Sequence, residues 1–257
     1  NAVFRVLEPG FDRSFIYDSF SSRKERGIHK AHERFRQFAW ELSRNNTRTV
    51  WILKCDIRKF FDSVDHEVLL EILSRKVDRQ TLELLGEILA SFKKILGKGI
   101  PIGNLTSQLF SNIYLNEFDQ FVKRRLKVKH YIRYADDFVI LSNDKDYLSN
   151  LLPILADFLN TRLVLSMHSD KIIIRKWRQG IDFLGYNIFP YYKILRTKTK
   201  RRILKKISKR HEELERGKIT KFSFSQSTQS YIGMLKHCRG NRMRRRIKNL
   251  FEAEKGL

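Results

Sequence analysis

Apolar residues recur at helical spacing over 28–42, where Ile28, Ala31, Phe35, Phe38 and Leu42 fall on one face of a predicted amphipathic helix. Residues 49–57, TVWILKCDI, form a continuous β-prone run instead, which predicts a buried strand ending at Asp56. Two helices are expected near 65–76 and 79–92, then a loop at the cluster Gly97, Gly99, Pro101 and Gly103. A long helix fits 105–127, with Leu109, Ile113, Leu115, Phe118 and Val122 on its buried side. YIRY (131–134) and FVIL (138–141) flank a tight Ala135-Asp136-Asp137 connection, the pattern of a hairpin. A helix near 144–161 follows, then short strands at 163–166, 171–175 and 181–186. From 197 the pattern is helical again. Ile203, Leu204, Ile207 and Leu214 make one stripe among Lys and Arg, and Met243, Ile247, Leu250 and Phe251 make a second inside a basic helix. The fold class read from this pattern is mixed α/β (α+β) followed by a basic helical module, with no internal repeat.

Composition narrows the picture. Hydrophobic residues make up 42% of 257, enough for a real core and too many for bulk disorder. The longest apolar runs are far shorter than a membrane span, and no signal-peptide pattern opens the chain. A cytoplasmic protein with no membrane partner is the expectation. The chain starts at Asn1 rather than Met, which reads as the loss of an upstream segment. Cys55 and Cys238 fit neither a zinc site nor a disulfide framework and are expected to be free thiols. Charge is more telling: 52 Lys and Arg against 28 Asp and Glu give +24, a surplus that implies a polyanionic partner. Residues 191–257 hold 21 Lys and Arg against 5 Asp and Glu, a net of +16, so two-thirds of the surplus sits in the last quarter of the chain.

Asp136 and Asp137 stand where the hairpin turns. Adjacent carboxylates repel, and burying both is costly without a cation. Magnesium takes one or two carboxylates and completes its shell with water and phosphate. Asp56 ends a separate buried strand. If that strand and the hairpin share a sheet, three carboxylates converge, and two metals about 4 Å apart could clamp an in-line phosphoryl displacement. Taken alone, the pair also fits an ordinary acidic turn. Its context is richer: Phe61 follows Asp56 by five residues, GIPIGNLTSQ (99–108) precedes the long helix, and FLGY stands at 183–186.

These blocks, in this order, resemble the palm of a bacterial reverse transcriptase, in the broad group of group II introns, retrons and diversity-generating retroelements. The resemblance covers nearly the whole chain from Phe15. Ile102 and Gln108 stand where group II intron enzymes usually carry Gln and Pro, which resembles the diversity-generating type. The resemblance implies a right-hand polymerase, with fingers at 1–48 and 67–101, palm at 49–66 and 102–190, and thumb at 191–257. It implies an RNA-directed DNA polymerase that copies an RNA template from a DNA or RNA primer with dNTPs, error-prone in the diversity-generating case. Two Mg2+ ions, with Mn2+ as the alternative, would be held by Asp56, Ile57, Asp136 and Asp137. Lys171 would act as general acid toward pyrophosphate. Arg23, Arg26, Arg58, Lys59, Phe60, Phe61, Ile102, Gly103 and Gln108 would surround the nucleotide, with Phe61 as the steric gate and the backbone N–H groups of 57–61 toward phosphate. Phe183, Leu184, Gly185 and Tyr186 resemble the primer grip. Arg201, Arg202, Lys205, Arg244, Arg245 and Arg246 would hold duplex phosphates. Diversity-generating relatives use a small basic accessory protein, which the resemblance extends to this chain. The rival readings are a group II intron-like or defence-associated enzyme and an idle, maturase-like RNA-binding scaffold. An RNA-templated RNA polymerase is opposed by Phe61.

Overall fold

The computed structural model describes residues 2–92 and 96–252. Two compact units follow one another along the chain, 1–176 and 177–257.

The first unit is built on a four-stranded antiparallel sheet of order β2-β3-β1-β4. Its strands are β1 (Trp51–Asp56), β2 (Tyr131–Tyr134), β3 (Asp137–Ser142) and β4 (Ile173–Lys176). β1 lies inside the sheet between β3 and β4, which is why Ile52, Leu53, Lys54 and Cys55 are all buried. Side chains alternate across a strand. Leu53, Cys55, Phe138 and Ile140 join the main core. There they meet Tyr114 and Phe118 of α6 (Leu105–Gln120) and Leu148, Leu155 and Leu159 of α7 (Lys145–Leu163). Ile52, Val139 and Leu141 alternate with them, and α2 (Ile28–Ser43) packs along β2 and β3. Full burial of a Leu- or Phe-sized side chain contributes about 1.5–3 kcal/mol, so this layered core is the main source of stability. The same unit holds α1 (Ala2–Asp12), α3 (Phe60–Ser63), α4 (His66–Ser74) and α5 (Arg79–Ala90).

Two expectations change here. The long helix is α-helical only to Gln120, and residues 121–125 form a π-helical turn. The strand expected at 163–166 is absent among the described residues: α7 runs on to Leu163, and Val164 ends it in the left-handed region at φ 50°.

The second unit opens with a three-stranded antiparallel sheet, β5 (Ile181–Phe183), β6 (Tyr186–Ile188) and β7 (Lys193–Leu195). The single strand expected at 181–186 is therefore a hairpin. Phe183 pairs with Tyr186 across a two-residue turn in which Leu184 (φ 50°) and Gly185 (φ 85°) are both left-handed, as tight hairpins demand. Helices α8 (Thr197–Glu215), α9 (Lys221–Lys236) and α10 (Asn241–Glu252) follow. Ile203 and Ile207 of the α8 stripe are buried, as is Ile247 of α10; the side chains of Leu250 and Phe251 lie outside the described residues. Cys55 and Cys238 are free. Among the described residues, no helix is long and apolar enough to cross a membrane.

Candidate active site

The last antiparallel pair between β1 and β3 is Asp56 opposite Asp137, and the last between β2 and β3 is Tyr134 opposite Asp137. Ala135 and Asp136 are the two-residue connection. Ala135 is left-handed at φ 53°, a conformation that costs a non-glycine residue about 1–2 kcal/mol. The Ile57 N–H donates to the Asp136 carbonyl at 3.2 Å and fastens the turn to the end of β1. Three carboxylates from distant parts of the chain are thus brought to one end of the sheet.

Their electrostatics are those of a crowded anionic site. Burial pushes the Asp136 carboxyl up to about 6, and the nearby Asp56 and Asp137 charges add to the rise. Asp137 is also raised, chiefly by burial, against the opposing pull of Lys54. Lys54 Nζ stands 3.3 Å from Asp137 Oδ1, yet that buried oxygen accepts no hydrogen bond among the described residues. Lys171 Nζ donates to Asp56 Oδ1 at 2.7 Å, and this bond raises the lysine. Among the described residues, no three carboxylate, His or Cys side chains are drawn into a ready-made metal cage. Asp56 and Asp137 each turn to an ammonium group instead. A buried carboxylate oxygen that faces an ammonium group without a hydrogen bond, beside two other carboxyls, is nevertheless part of a hard, anionic oxygen set, which fits magnesium.

The surroundings of Asp56 are more mixed than expected. The N–H groups of Ile57 and Arg58 are already donated, to Asp136 and to the Ser166 carbonyl (2.8 Å), so they do not face outward for phosphate. Lys59 is left-handed (φ 44°) and exposed, as is Arg58. Phe60 is buried and meets Tyr114 and Phe61 edge-on, at 6.4 and 5.4 Å between ring centres. Phe60 is therefore a core residue, and Phe61 is half-buried, packed against the same core. The loop carrying Ile102 is docked against α3: Ile100 N–H donates to the Phe61 carbonyl and Gly99 N–H to that of Val64, both at 2.7 Å. Ile102 itself is 78% exposed, so it does not pack into the core. Gly103 follows at φ 104°, Asn104 caps α6 through the Ser107 N–H (2.6 Å), and Gln108 is half-buried.

Arg23 and Arg26 part company. The five N–H donors of Arg23 bond Asp12 (Oδ1, Oδ2 and carbonyl) and the carbonyls of Ile16 and Ser19, at 2.6–3.4 Å. Its guanidinium is consumed in pinning the N-terminal segment and has no donor left for a triphosphate. Arg26 lies over the rings of Tyr17 (4.2 Å) and Phe20 (5.6 Å).

In the second unit, Phe183 and Tyr186 are buried, and Tyr186 donates to the Met234 carbonyl at 3.3 Å. Gly185 opens onto a cleft of about 560 Å³ lined by Arg196, Lys198, Arg201, Arg202 and Lys205. A Cβ at Gly185 would meet nothing closer than 4.0 Å, so the cleft floor is open backbone. Arg244 departs from expectation: it donates to the Leu235 carbonyl (3.3 Å) near the end of α9, while Arg245 and Arg246 are exposed.

Two residues absent from the sequence reading belong to the site. They are Lys54 on β1 and Arg133 on β2, each a charge interrupting a buried apolar strand.

The family model described as reverse transcriptase (RNA-dependent DNA polymerase) matches residues 1–188. Protein YkfC of Escherichia coli (strain K12) is 28% identical over 227 residues, covering 73% of this chain and 59% of its own length. The group II intron-encoded protein LtrA of Lactococcus lactis subsp. cremoris is 24% identical over 257 residues, covering 73% of this chain and 42% of its own. The retron Ec83 reverse transcriptase of Escherichia coli is 28% identical over 137 residues, covering 49% of this chain and 43% of its own. The chain thus spans about half the length of the curated relatives it matches most extensively. Among solved structures, an apo telomerase from Candida tropicalis, truncated from its C-terminal domain, superposes with a TM-score of 0.55 at 14% identity, over 76% of this chain and 44% of that one. At that identity the likeness is one of fold.

Proposed function

This chain belongs to the reverse transcriptase family, and from that premise we propose an RNA-directed DNA polymerase that extends a primer 3′-end with dNTPs along a retroelement RNA. The observation that carries the reading is the register of Asp56 opposite Asp137, with Asp136 in the adjoining turn and its carboxyl raised to about 6. Asp56, Asp136, Asp137 and the Ile57 backbone would hold two magnesium ions, or manganese, which when bound supply activation of the primer hydroxyl and neutralisation of the departing pyrophosphate. Lys171, hydrogen-bonded to Asp56, is the general acid for pyrophosphate. Phe61, half-buried beside Phe60, is the gate against a 2′-hydroxyl. Arg26, Arg58 and Lys59 supply positive charge toward the triphosphate, a role that Arg23 gives up to Asp12. The cleft beside Gly185, with Arg201, Arg202 and Lys205, takes duplex phosphates without reading bases. Fingers, palm and thumb remain the division that best organises these roles.

The diversity-generating subtype, with its error-prone copying and small basic accessory protein, rests on Ile102 and Gln108. A group II intron-like enzyme is the second reading, favoured by the naming of LtrA for a group II intron. An idle scaffold would have no physical need for three carboxylates crowded at one sheet end.

The test is extension of a DNA primer on an RNA template in magnesium. Wild type should extend; Asp136→Asn should lose extension while still binding the RNA–DNA duplex. Wild-type rates from the variant would refute the assignment of the carboxylates.

A further inference from the structure

Arg133 is wholly buried on β2, an edge strand of the sheet. All five of its N–H donors are engaged. Nε and Nη2 grip the two oxygens of Asp119 at 2.8 and 2.6 Å. Nη1 reaches Asn112 Oδ1 (3.3 Å) and the carbonyl of Ala135 (3.1 Å), and Nη2 also reaches Ser19 Oγ (3.0 Å). Asp119 is fully buried too and takes the Tyr131 hydroxyl at 2.7 Å.

Three parts of the unit therefore meet on one guanidinium. Asn112 and Asp119 come from α6. Ser19 comes from the N-terminal segment, which is bonded to the backbone of β2 at this point: Arg133 N–H donates to the Asp18 carbonyl and Phe20 N–H to the Arg133 carbonyl, both at 3.0 Å. The third is the left-handed Ala135 that immediately precedes Asp136 and Asp137. A strained alanine turn persists only when its surroundings over-determine it. The grip on its carbonyl is such a constraint, and so is the Ile57 bond to Asp136 on the other side.

We propose that Arg133 is a positioning residue for the carboxylate turn: through Asp119 it anchors the Ala135 carbonyl to α6 and makes docking of residues 18–20 a condition for the correct placement of Asp136 and Asp137. The guanidinium touches no reacting group. It acts by fixing the backbone from which two carboxylates project. A ready apolar substitute could fill the same volume, since buried ion pairs often exchange for apolar residues without loss of stability. Stability alone does not call for five satisfied donors beneath this turn. The inference rests on the polymerase reading for its rate predictions, but not for its effect on metal affinity.

The experiment compares wild type with Arg133→Met/Asp119→Leu/Tyr131→Phe, which removes the ion pair and its hydroxyl partner together and leaves no buried charge behind. Three quantities are read: the thermal midpoint, kcat and KM for dNTP in primer extension, and Mn2+ affinity by electron paramagnetic resonance in the absence of nucleotide. The expected result is a thermal midpoint near wild type, kcat lowered by about a hundredfold, the loss typical of small misplacements of reacting groups, KM within about twofold, and weaker Mn2+ binding. A variant that keeps its midpoint, kcat and Mn2+ affinity overturns the proposal. If the triple variant fails to fold, Arg133→Lys decides, read below its own melting midpoint: a single ammonium can face Asp119 but cannot also hold Ala135, Asn112 and Ser19. The same fall in kcat and Mn2+ affinity supports the proposal, and unchanged values overturn it. Wild type that binds Mn2+ but does not extend any primer would refute the polymerase reading, while the Mn2+ comparison still judges Arg133.

Discussion

Replacing Lys54 with methionine keeps most of the side chain's length and removes the ammonium group beside Asp137. The two charges lie 3.3 Å apart, on side chains only 11% and 24% exposed. At an effective dielectric of about 20 their attraction is about 5 kcal/mol before desolvation is subtracted. Removing one partner of a buried pair typically costs about 3–5 kcal/mol, because the other charge is stranded. Protonation sets a ceiling: neutralising a carboxyl of ordinary acidity at pH 7 costs about 4 kcal/mol. Burial already disposes Asp137 toward the neutral form, so the loss should fall at about 2–4 kcal/mol. The assay is urea unfolding in EDTA and again in saturating Mg2+. If Asp137 is a metal ligand, Mg2+ should stabilise the variant more than wild type, and the gap between them should narrow. An equal loss in both media would refute the ligand role of Asp137. No loss in EDTA would refute the electrostatic reasoning itself.

Three further outcomes are expected. Phe61→Ala should raise ribonucleotide relative to deoxynucleotide incorporation by about tenfold or more, the scale on which one selective side chain discriminates; an unchanged ratio in competition primer extension would return Phe61 to the core beside Phe60. Ile102→Gln adds one hydrogen-bonding amide at an exposed position, worth about 0.5–1.5 kcal/mol, so sequenced products of one defined RNA should carry from a few-fold to about tenfold fewer substitutions opposite template adenine. Arg245→Gln/Arg246→Gln should flatten the log–log salt dependence of RNA–DNA duplex binding by about 0.7–0.9 for each phosphate left without its arginine, whereas Arg244→Gln should cost stability by removing its bond to Leu235.

Periodicity carried most of the fold. The run 49–57 and the apolar runs beside YADD are strong because β1 and β3 are buried on both faces, and within β1 only Lys54 interrupts the apolar run. It misled where a short apolar run could bend. FLGY reads as one strand until the left-handed Leu184 and Gly185 split it, and 163–166 reads as strand because its last helical leucine and its β-branched valine are adjacent. Such outcomes depend on what packs around the segment, which no local pattern records.

The site was legible in a more uneven way. Carboxylates between apolar strands announce themselves, because a buried charge needs a reason. On the same ground Lys54 in WILKCD and Arg133 in YIRY were equally conspicuous. Their meaning was hidden because their partners are distant: Asp137 is on another strand and Asp119 on a helix. The opposite happened at SRKERG, where Arg23 and Arg26 look alike in a charged loop. Only the fold brings Asp12 to Arg23 and exhausts its donors. A cation on a solvated loop is ambiguous until the chain is folded. A cation inside an apolar strand, two or three residues before a carboxylate of the site, must instead be paired with something buried. In this chain the two cations that meet that condition both stand at the carboxylate cluster: Lys54 faces Asp137, and Arg133 holds the turn from which Asp136 and Asp137 project.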